Sequence, residues 1–570
     1  MGINQAIEAA DLVILGGAVY TMDAARRWAR AVAVRGGRIV AVGSDREVRG
    51  LVGSRTEVVE LAGGMLLPGF QDSHAHPVSG GYERLRCDLT GEHSLEGYLR
   101  VIGGYAAGHP EAAWIVGGGW SMDVFPGGTP GRRELDAVVA DRPVFLFNRD
   151  HHGAWVNSRA LALAGIDRRT LDPAHGRIER EADGEPLGTL HEAAMDLVGD
   201  LAPKPTRADL AAALRRAQRY LHSLGITAWQ DAAVGGPLSG EDTLPIYQEA
   251  EERGELTARV VGSLWWERDQ DESQLGELQE RRARTLPGGR FQASTVKIMQ
   301  DGVCEDFTAA MLAPYLDGHG RATENRGMSF VDPEALKRYV TLLDRAGFQV
   351  HFHALGDRAV RESLDAVEAA RGANGPNDLR PHLAHIQVVH PDDLPRFRAL
   401  GAVANGQPLW ARNEPQMTEL TIPFLGPERS AQQYPFGSLV RHGATVAFGS
   451  DWPVSSPDPL AGIHTAVNRT PVPGEANGNG DSRWSVEPFL PEERLDLPTA
   501  LFGYTMGAAF VNHLEREAGS IEVGKLADLV VLDRNLFELP PEEITTARVQ
   551  ATFVDGRKVY EQPGRSSIPS

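Results

Sequence analysis

Lysine is nearly missing from this chain. Its 570 residues carry 57 basic side chains, and five of these are lysine: Lys204, Lys297, Lys337, Lys525 and Lys558. Cysteine is scarcer still. Cys87 and Cys304 are too few for a disulfide scaffold or a cysteine zinc ribbon. Positive charge is in deficit, since 57 basic against 77 acidic residues leave a net charge of −20. That is the wrong sign for a nucleic-acid surface. No apolar run reaches about 18 residues, so no membrane span is expected, and the N-terminus shows no basic-then-apolar signal pattern. Repeats, heptads and low-complexity tracts are absent, which removes the structural-protein classes. With 42% hydrophobic and 24% charged residues, the expected class is a globular cytoplasmic enzyme acting on a small molecule. The length allows one large domain and a smaller one.

Both ends of the chain share one texture. Val/Ile/Leu runs broken by Gly-Gly or Gly-Arg fill residues 1–66, and GSIEVGKLADLVVLD with VQATFVDGRKVYE repeats the pattern near the C-terminus. Val-Asp-Gly-Arg signals a hairpin. A small composite β-sandwich built from 1–66 and 515–563 is expected, with 564–570 as a loose tail. Between the ends, strand, loop and helix alternate. Short apolar runs at 64–76, 225–232, 258–266, 294–302, 348–357, 381–387, 402–410 and 445–454 make eight strands. Segments such as RADLAAALRRAQRYLHSLG and DRAVRESLDAVEAARG carry apolar residues at i, i+3 and i+4, as helices do. Eight such units predict an α/β fold, a (β/α)₈ barrel over 67–514. About 150 residues separate the first two strands. This stretch, about 77–220, is read as an insertion covering the barrel mouth. The segment 470–485 after strand eight is a candidate lid.

Histidine marks the strand ends. His74 and His76 close strand one, and i, i+2 spacing sends both imidazoles to one face. Two converging imidazoles make half of a zinc site. Strand five offers His351 and His353, strand six His382 and His385. Barrel ligands sit at C-terminal strand ends, which favours His353 and His385 and leaves His351 and His382 as core, supporting or substrate-contacting groups. Strand eight ends in Gly449-Ser450-Asp451, which aims a carboxylate at the same cavity. Lys297 lies inside strand four on a face with Thr295 and Met299, opposite Val296 and Ile298. An unpaired ammonium in a barrel is costly. One reading pairs it with Asp301. The other uses what arginine lacks, an amine that can lose its proton and add CO₂ to become a carbamate.

PGFQDSHAH, VKIMQDG, HFHALGD, HLAHIQ and GSDWPV stand in the order and on the strands of the amidohydrolase superfamily, which the chain resembles over most of its length. NRDHHGAWVNSRALALAGI, VKIMQDG and GDRAV are similar to its YtcJ-like branch, which includes N-substituted formamide deformylases. The resemblance implies a divalent metal, with zinc expected, as one or two ions. His74, His76 and Asp451 would bind one ion, His353 and His385 the other, and carboxylated Lys297 would bridge them. It implies hydrolysis of a carbon–nitrogen bond in a non-peptide amide, an N-substituted formamide or N-acyl amine, with Asp451 moving the proton, and a homodimer. Cyclic-amide hydrolysis or heterocycle deamination on the same site is the alternative, and a non-catalytic binding protein a remoter one. Candidate substrate contacts are Trp120, Asp123, Phe125, His152, Trp155, Trp410 and Trp452, with His151 either a contact or a turn cap. Several aromatics with few charges point to a partly apolar substrate.

Overall fold

The structure is a computed structural model that describes residues 8–236, 240–475 and 483–563. The proposed tail, 564–570, and the centre of the 470–485 lid segment lie outside the described residues. Eight parallel strands form the central sheet. They are β1 (Phe70–Ala75), β2 (Ile226–Val234), β3 (Arg259–Trp265), β4 (Phe291–Met299), β5 (Gln349–Ala354), β6 (His382–His385), β7 (Val403–Gly406) and β8 (Thr445–Phe448). They lie in sequence order around a TIM-like barrel, as expected. Just past the strand ends, Asp451 N–H donates to the His74 carbonyl and His76 N–H to the Trp452 carbonyl, both at 2.7 Å. These bonds draw β1 and β8 together.

Two strands differ from the sequence reading. The run 64–76 is two strands, not one. Met65–Pro68 pairs antiparallel with Leu529–Leu532 in another sheet, and the chain enters the barrel at Gly69, whose N–H donates to the Asp528 carbonyl (2.8 Å). The run 402–410 keeps only four residues in β7. Pro408 has no N–H for a ladder, and Pro408–Trp410 turns into a 3₁₀ helix.

The helices follow their apolar spacing. Arg207–Ser223 starts at a Thr206/Asp209 capping box and buries Leu210, Ala213, Leu214, Ala217 and Leu221. Leu244–Glu252, Pro333–Arg345 and Asp357–Asn374 pack in the same way around the barrel. Among the described residues no helix is long and apolar enough to cross a membrane.

The two chain ends meet in one six-stranded sheet, whose order runs Arg557–Glu561, Val549–Val554, Leu529–Leu532, Met65–Pro68, Ala18–Tyr20, Trp28–Ala29. It packs on a four-stranded sheet of N-terminal strands through Ile14, Val32, Leu66, Leu529 and Phe553. The predicted hairpin is present, with Asp555 (φ 50°) and Gly556 (φ 68°) in its two-residue turn. The stretch between β1 and β2 builds its own six-stranded sheet, from Cys87–Asp88 to Pro186–Glu192, with a hydrophobic cluster on either side.

Arg259 at the start of β3 ties barrel to sandwich. Its guanidinium grips Asp528 through two bonds, 2.9 and 3.2 Å, and also reaches Asp555. The Asp528 side chain is 2% exposed. Removing one partner of a buried pair strands the other's charge, so Asp528→Ala should destabilise the protein by about 3 kcal/mol. Chemical denaturation followed by circular dichroism measures this, and a change near zero would refute the tie.

Candidate active site

The strand ends bring the expected residues together. His74 is the fifth residue of β1, and His76 caps the helix Pro77–Glu83 that follows. Asp451 stands three residues past β8 and extends Oδ1 to 3.1 Å from His74 Nε2 and 3.0 Å from His76 Nε2. Neither contact has the direction of a hydrogen bond, and Oδ1 is buried without a hydrogen-bond partner. Lone pairs aimed at a shared point, rather than at one another, are what a cation requires. His385 joins them. Ligand atoms of His74, His385 and Asp451 all lie within 4.8 Å of one another, the one such group of three among the described residues. The structure therefore groups His385 with His74 and Asp451, where the resemblance assigned it to His353. His353 remains adjacent, its ring 4.4 Å from that of His385.

The backbone is strained where it presents these groups. His385 (φ 74°), Ile386 (φ 41°) and Asp451 (φ 57°) are in the left-handed region without being glycine. Each such residue costs on the order of 1–3 kcal/mol, offset by the surrounding packing.

Electrostatics suit a cation. Burial drives His74 down to about 3, with Lys297 adding to the effect. Burial likewise holds His353 and His385 well below the usual imidazole value. All three are neutral, with a lone pair to give. Burial pushes the Asp451 carboxyl up, but His74 beside it and the contacts from His74 and His76 outweigh burial and keep it anionic. Lys297 is 2% exposed and faces the same cavity as Met299. Burial lowers its amine to about 7, with Asp451 pulling the other way. Among the described residues the Lys297 amine has no hydrogen bond or ion pair. The Asp301 salt bridge is not formed, because that carboxylate accepts N–H bonds from Ala310, Leu355 and Gly356 and lies 3.3 Å from His353 Nδ1. Neutral imidazoles, a carboxylate and an uncharged amine around one point fit a divalent metal.

Other buried groups hold the ligands. His385 Nδ1 is 3.1 Å from Gln407 Oε1. His74 Nδ1 is 2.8 Å from His351 Nε2, and His351 Nδ1 is 3.1 Å from Ser263 Oγ. His382 packs its tilted ring against His351 at 4.0 Å and meets the Asn405 amide at 3.0 Å. His351 and His382, left open by the sequence, therefore stand behind the ligands.

The cavity above the cluster measures about 530 Å³. The inserted sheet covers it with Phe145, Phe147, His151 and His152, while Trp265 and Met299 come from the barrel. Of the proposed substrate contacts, His152 lines this space, with its ring 5.4 Å from His353. Trp410 stacks flat on His385, 5.4 Å away. The others are placed elsewhere. Trp120 and Trp155 are fully buried with Phe125 in the inserted sheet's own core, their indole N–H groups bonded to Leu146 and Gly131 carbonyls. Asp123 pairs with Arg483 at 3.4 Å. Trp452 is buried against Tyr220 beside a separate cavity of about 260 Å³. Phe145, Phe147, Glu192 and Gln407 were not singled out from sequence. The alternation in Phe-Leu-Phe-Asn was the available signal for the first two.

The His191–Asp306 pair and a Thr308 hydrogen bond dock the insertion on the loop after β4. His152 Nδ1 meets Glu192 Oε1 at 2.9 Å, and Thr308 Oγ donates to the same oxygen. His191 stands between Asp306 (3.0 Å) and Glu179 (3.3 Å).

Residues 57–560 match the family profile Amidohydro_3, described as Amidohydrolase family. The chain belongs to the amidohydrolase family. It is 33% identical to Protein LONG AFTER FAR-RED 3 of Arabidopsis thaliana, over 97% of this chain and 92% of that protein. It is 30% identical to the putative amidohydrolase YtcJ of Bacillus subtilis (96% and 99%) and 28% identical to the N-substituted formamide deformylase of Arthrobacter pascens (97% and 99%). Among solved structures, an uncharacterized metal-dependent hydrolase from Pyrococcus horikoshii aligns with a TM-score of 0.71 at 25% identity, covering 93% of this chain and 99% of that one. The amidohydrolase fold and the metal-dependent hydrolase class agree with the strand-end cluster.

Docking of the insertion depends on pH. Burial works against charge on His191, but Asp306 and Glu179 raise it to about 9. The unfolded value is about 6.5, so this stabilisation is complete below about pH 6.5 and is lost as pH rises through about 9. His191→Gln should lower stability at about pH 6 and flatten the decline toward about pH 9.5. Urea titrations at both values test this, and a variant curve parallel to wild type would count against it.

Proposed function

We propose that this amidohydrolase cleaves the carbon–nitrogen bond of a non-peptide amide, an N-substituted formamide or N-acyl amine. The observation that carries this reading is the convergence of His74, His76, His353, His385, Asp451 and Lys297 on one cavity. The activity named for the Arthrobacter pascens relative supports the bond type. Imidazole and carboxylate donors suit zinc. When bound, the metal supplies Lewis acidity, polarising a carbonyl and making a nucleophile available near neutral pH.

The chain's own residues do the rest. The Asp451 carboxylate, anionic among neutral imidazoles, takes the proton of the attacking water and returns it to the leaving nitrogen. Lys297, uncharged above about pH 7, can attack CO₂. A nitrogen–carbon bond forms, the amine gives up a proton, and the carbamate offers anionic oxygen to one or two ions. Phe145 and Phe147 give the nitrogen substituent an apolar wall, and His152 faces the reacting end. A cavity of about 530 Å³ accommodates a substituent well beyond a methyl group. The same reading takes a homodimer in the cytoplasm, and divides the chain into the sandwich (1–66 and 515–563) and the barrel (67–514).

His74→Ala and His353→Ala should lose bound metal by elemental analysis. Asp451→Asn should stay folded and turn over about 10²–10⁴ times more slowly. A screen of formamides, N-acyl amines and cyclic amides, read by release of formate, another acid or ammonia, identifies the bond. Full turnover in Asp451→Asn would sink the proton role, and ammonia release from a heterocycle would select deamination instead.

A further inference from the structure

His74 faces two ways. Nε2 is directed to Asp451, while Nδ1 meets His351 Nε2 at 2.8 Å, and His351 Nδ1 meets Ser263 Oγ at 3.1 Å. All three residues are at most 1% exposed. A metal-binding histidine usually gives its second N–H to a carboxylate or carbonyl, which can only accept. Here the partner is another imidazole, which when neutral has one N–H and one lone pair.

Such a chain has two self-consistent arrangements. In the first, Ser263 O–H donates to His351 Nδ1, His351 Nε2–H donates to His74 Nδ1, and the His74 proton sits on Nε2. That proton occupies the position a metal needs. In the second, His74 Nδ1–H donates to His351 Nε2, His351 Nδ1–H donates to Ser263 Oγ, and the Nε2 lone pair of His74 is free. Each ring keeps one proton in both arrangements, but on the opposite nitrogen, so the two differ in tautomer as well as in bond direction. We propose that Ser263, His351 and His74 form a tautomer relay that fixes which nitrogen of His74 is offered to the metal. His351 is thus a positioning residue. The tilted ring of His382 packs against it at 4.0 Å and is itself held by Asn405, which bonds both the Ser73 carbonyl and hydroxyl. The relay rests on the metal-centre reading of the site.

Zinc affinity of the full-length, metal-stripped protein, measured by competition with a chromogenic chelator, tests it without substrate. His351→Phe keeps ring volume but cannot accept a hydrogen bond, and should bind zinc about 10–100-fold more weakly. His351→Gln can accept from His74 through its amide oxygen and donate to Ser263 through its amide nitrogen, so it should restore most of that loss. Ser263→Ala removes the terminal acceptor at little cost in volume and should weaken zinc severalfold. Wild-type affinity in Ser263→Ala, or an equal loss in His351→Gln and His351→Phe, overturns the relay. Should His351→Phe not fold, the Gln and Ala variants decide. His74→Ala separates the two levels. If it binds zinc as wild type does, the metal centre itself is wrong. If it loses zinc while the relay variants do not, only the relay is wrong.

Discussion

A single buried carboxylate closes the barrel. Asp72 Oδ1 accepts the backbone N–H groups of His74 (3.1 Å) and Ser450 (3.0 Å), and Oδ2 accepts the Ser450 hydroxyl (2.5 Å). It thus binds β1, on which it lies, to the end of β8. Gly449 permits the close approach, since a Cβ there would fall 2.5 Å from His74 N. The seam is also the site. His74 and His76 lie on one side of it and Asp451 on the other, and the two 2.7 Å backbone bonds across it set their spacing. A barrel that opened here would lose its shape and its metal cluster together. Burial raises the Asp72 carboxyl to about 7 despite those three bonds.

The rest of the site is an arrangement for keeping donors uncharged and aimed. Five buried histidines in one region would repel each other if protonated, and burial removes that state. Uncharged imidazoles then need partners for their second nitrogen, and three of them have a different one each: His351 for His74, Asp301 for His353, Gln407 for His385. Charge is instead concentrated one layer above. At His152 beside Glu192, and at His191 beside Asp306, burial is outweighed by a carboxylate near 3 Å. The His191–Asp306 contact and the Thr308 hydroxyl on Glu192 join the inserted sheet to the loop after β4, so the cover is held by forces the floor excludes.

Much of this was legible in the sequence because strand ends obey simple rules. Alternation around Lys297 placed its amine inside the barrel, and the C-terminal-end rule separated His353 from His351 and His385 from His382. The same alternation could not say that His351 reaches sideways to His74. That contact depends on the pairing register of neighbouring strands, in which Lys297 lies opposite His351 and His351 opposite His382. The tryptophans were misplaced for a clearer reason. Gly-Gly-Gly before Trp120 reads as a flexible loop, yet Ile115–Trp120 is a strand. Gly117 serves close packing rather than freedom, since a Cβ would lie 2.1 Å from the Cys87 carbonyl oxygen. With Gly117 and its neighbours in a strand, Trp120 points into the inserted sheet's own core, not the cavity. The division of 64–76 was hidden because a strand leaving one sheet and entering another keeps the same apolar pattern.

The rarity of lysine gains meaning from how the five are used. Lys204 pairs with Asp200 (3.2 Å), Lys337 with Glu334 (2.7 Å), Lys525 with Glu522 (3.2 Å) and Lys558 with Glu57 (3.0 Å). Each does what arginine does elsewhere in the chain. Lys297 alone of the five has no such partner among the described residues, and it alone lies inside a barrel strand. Arginine at this position would remain charged at any working pH, and an unpaired buried guanidinium would be heavily penalised. An amine escapes the penalty by giving up its proton, and burial has already lowered Lys297 to about 7. The property that makes lysine tolerable here is the one that makes it reactive, because only the uncharged amine can add CO₂. Position 297 therefore suits an amine that can be buried without its proton, whereas the other four sites call only for a positive charge.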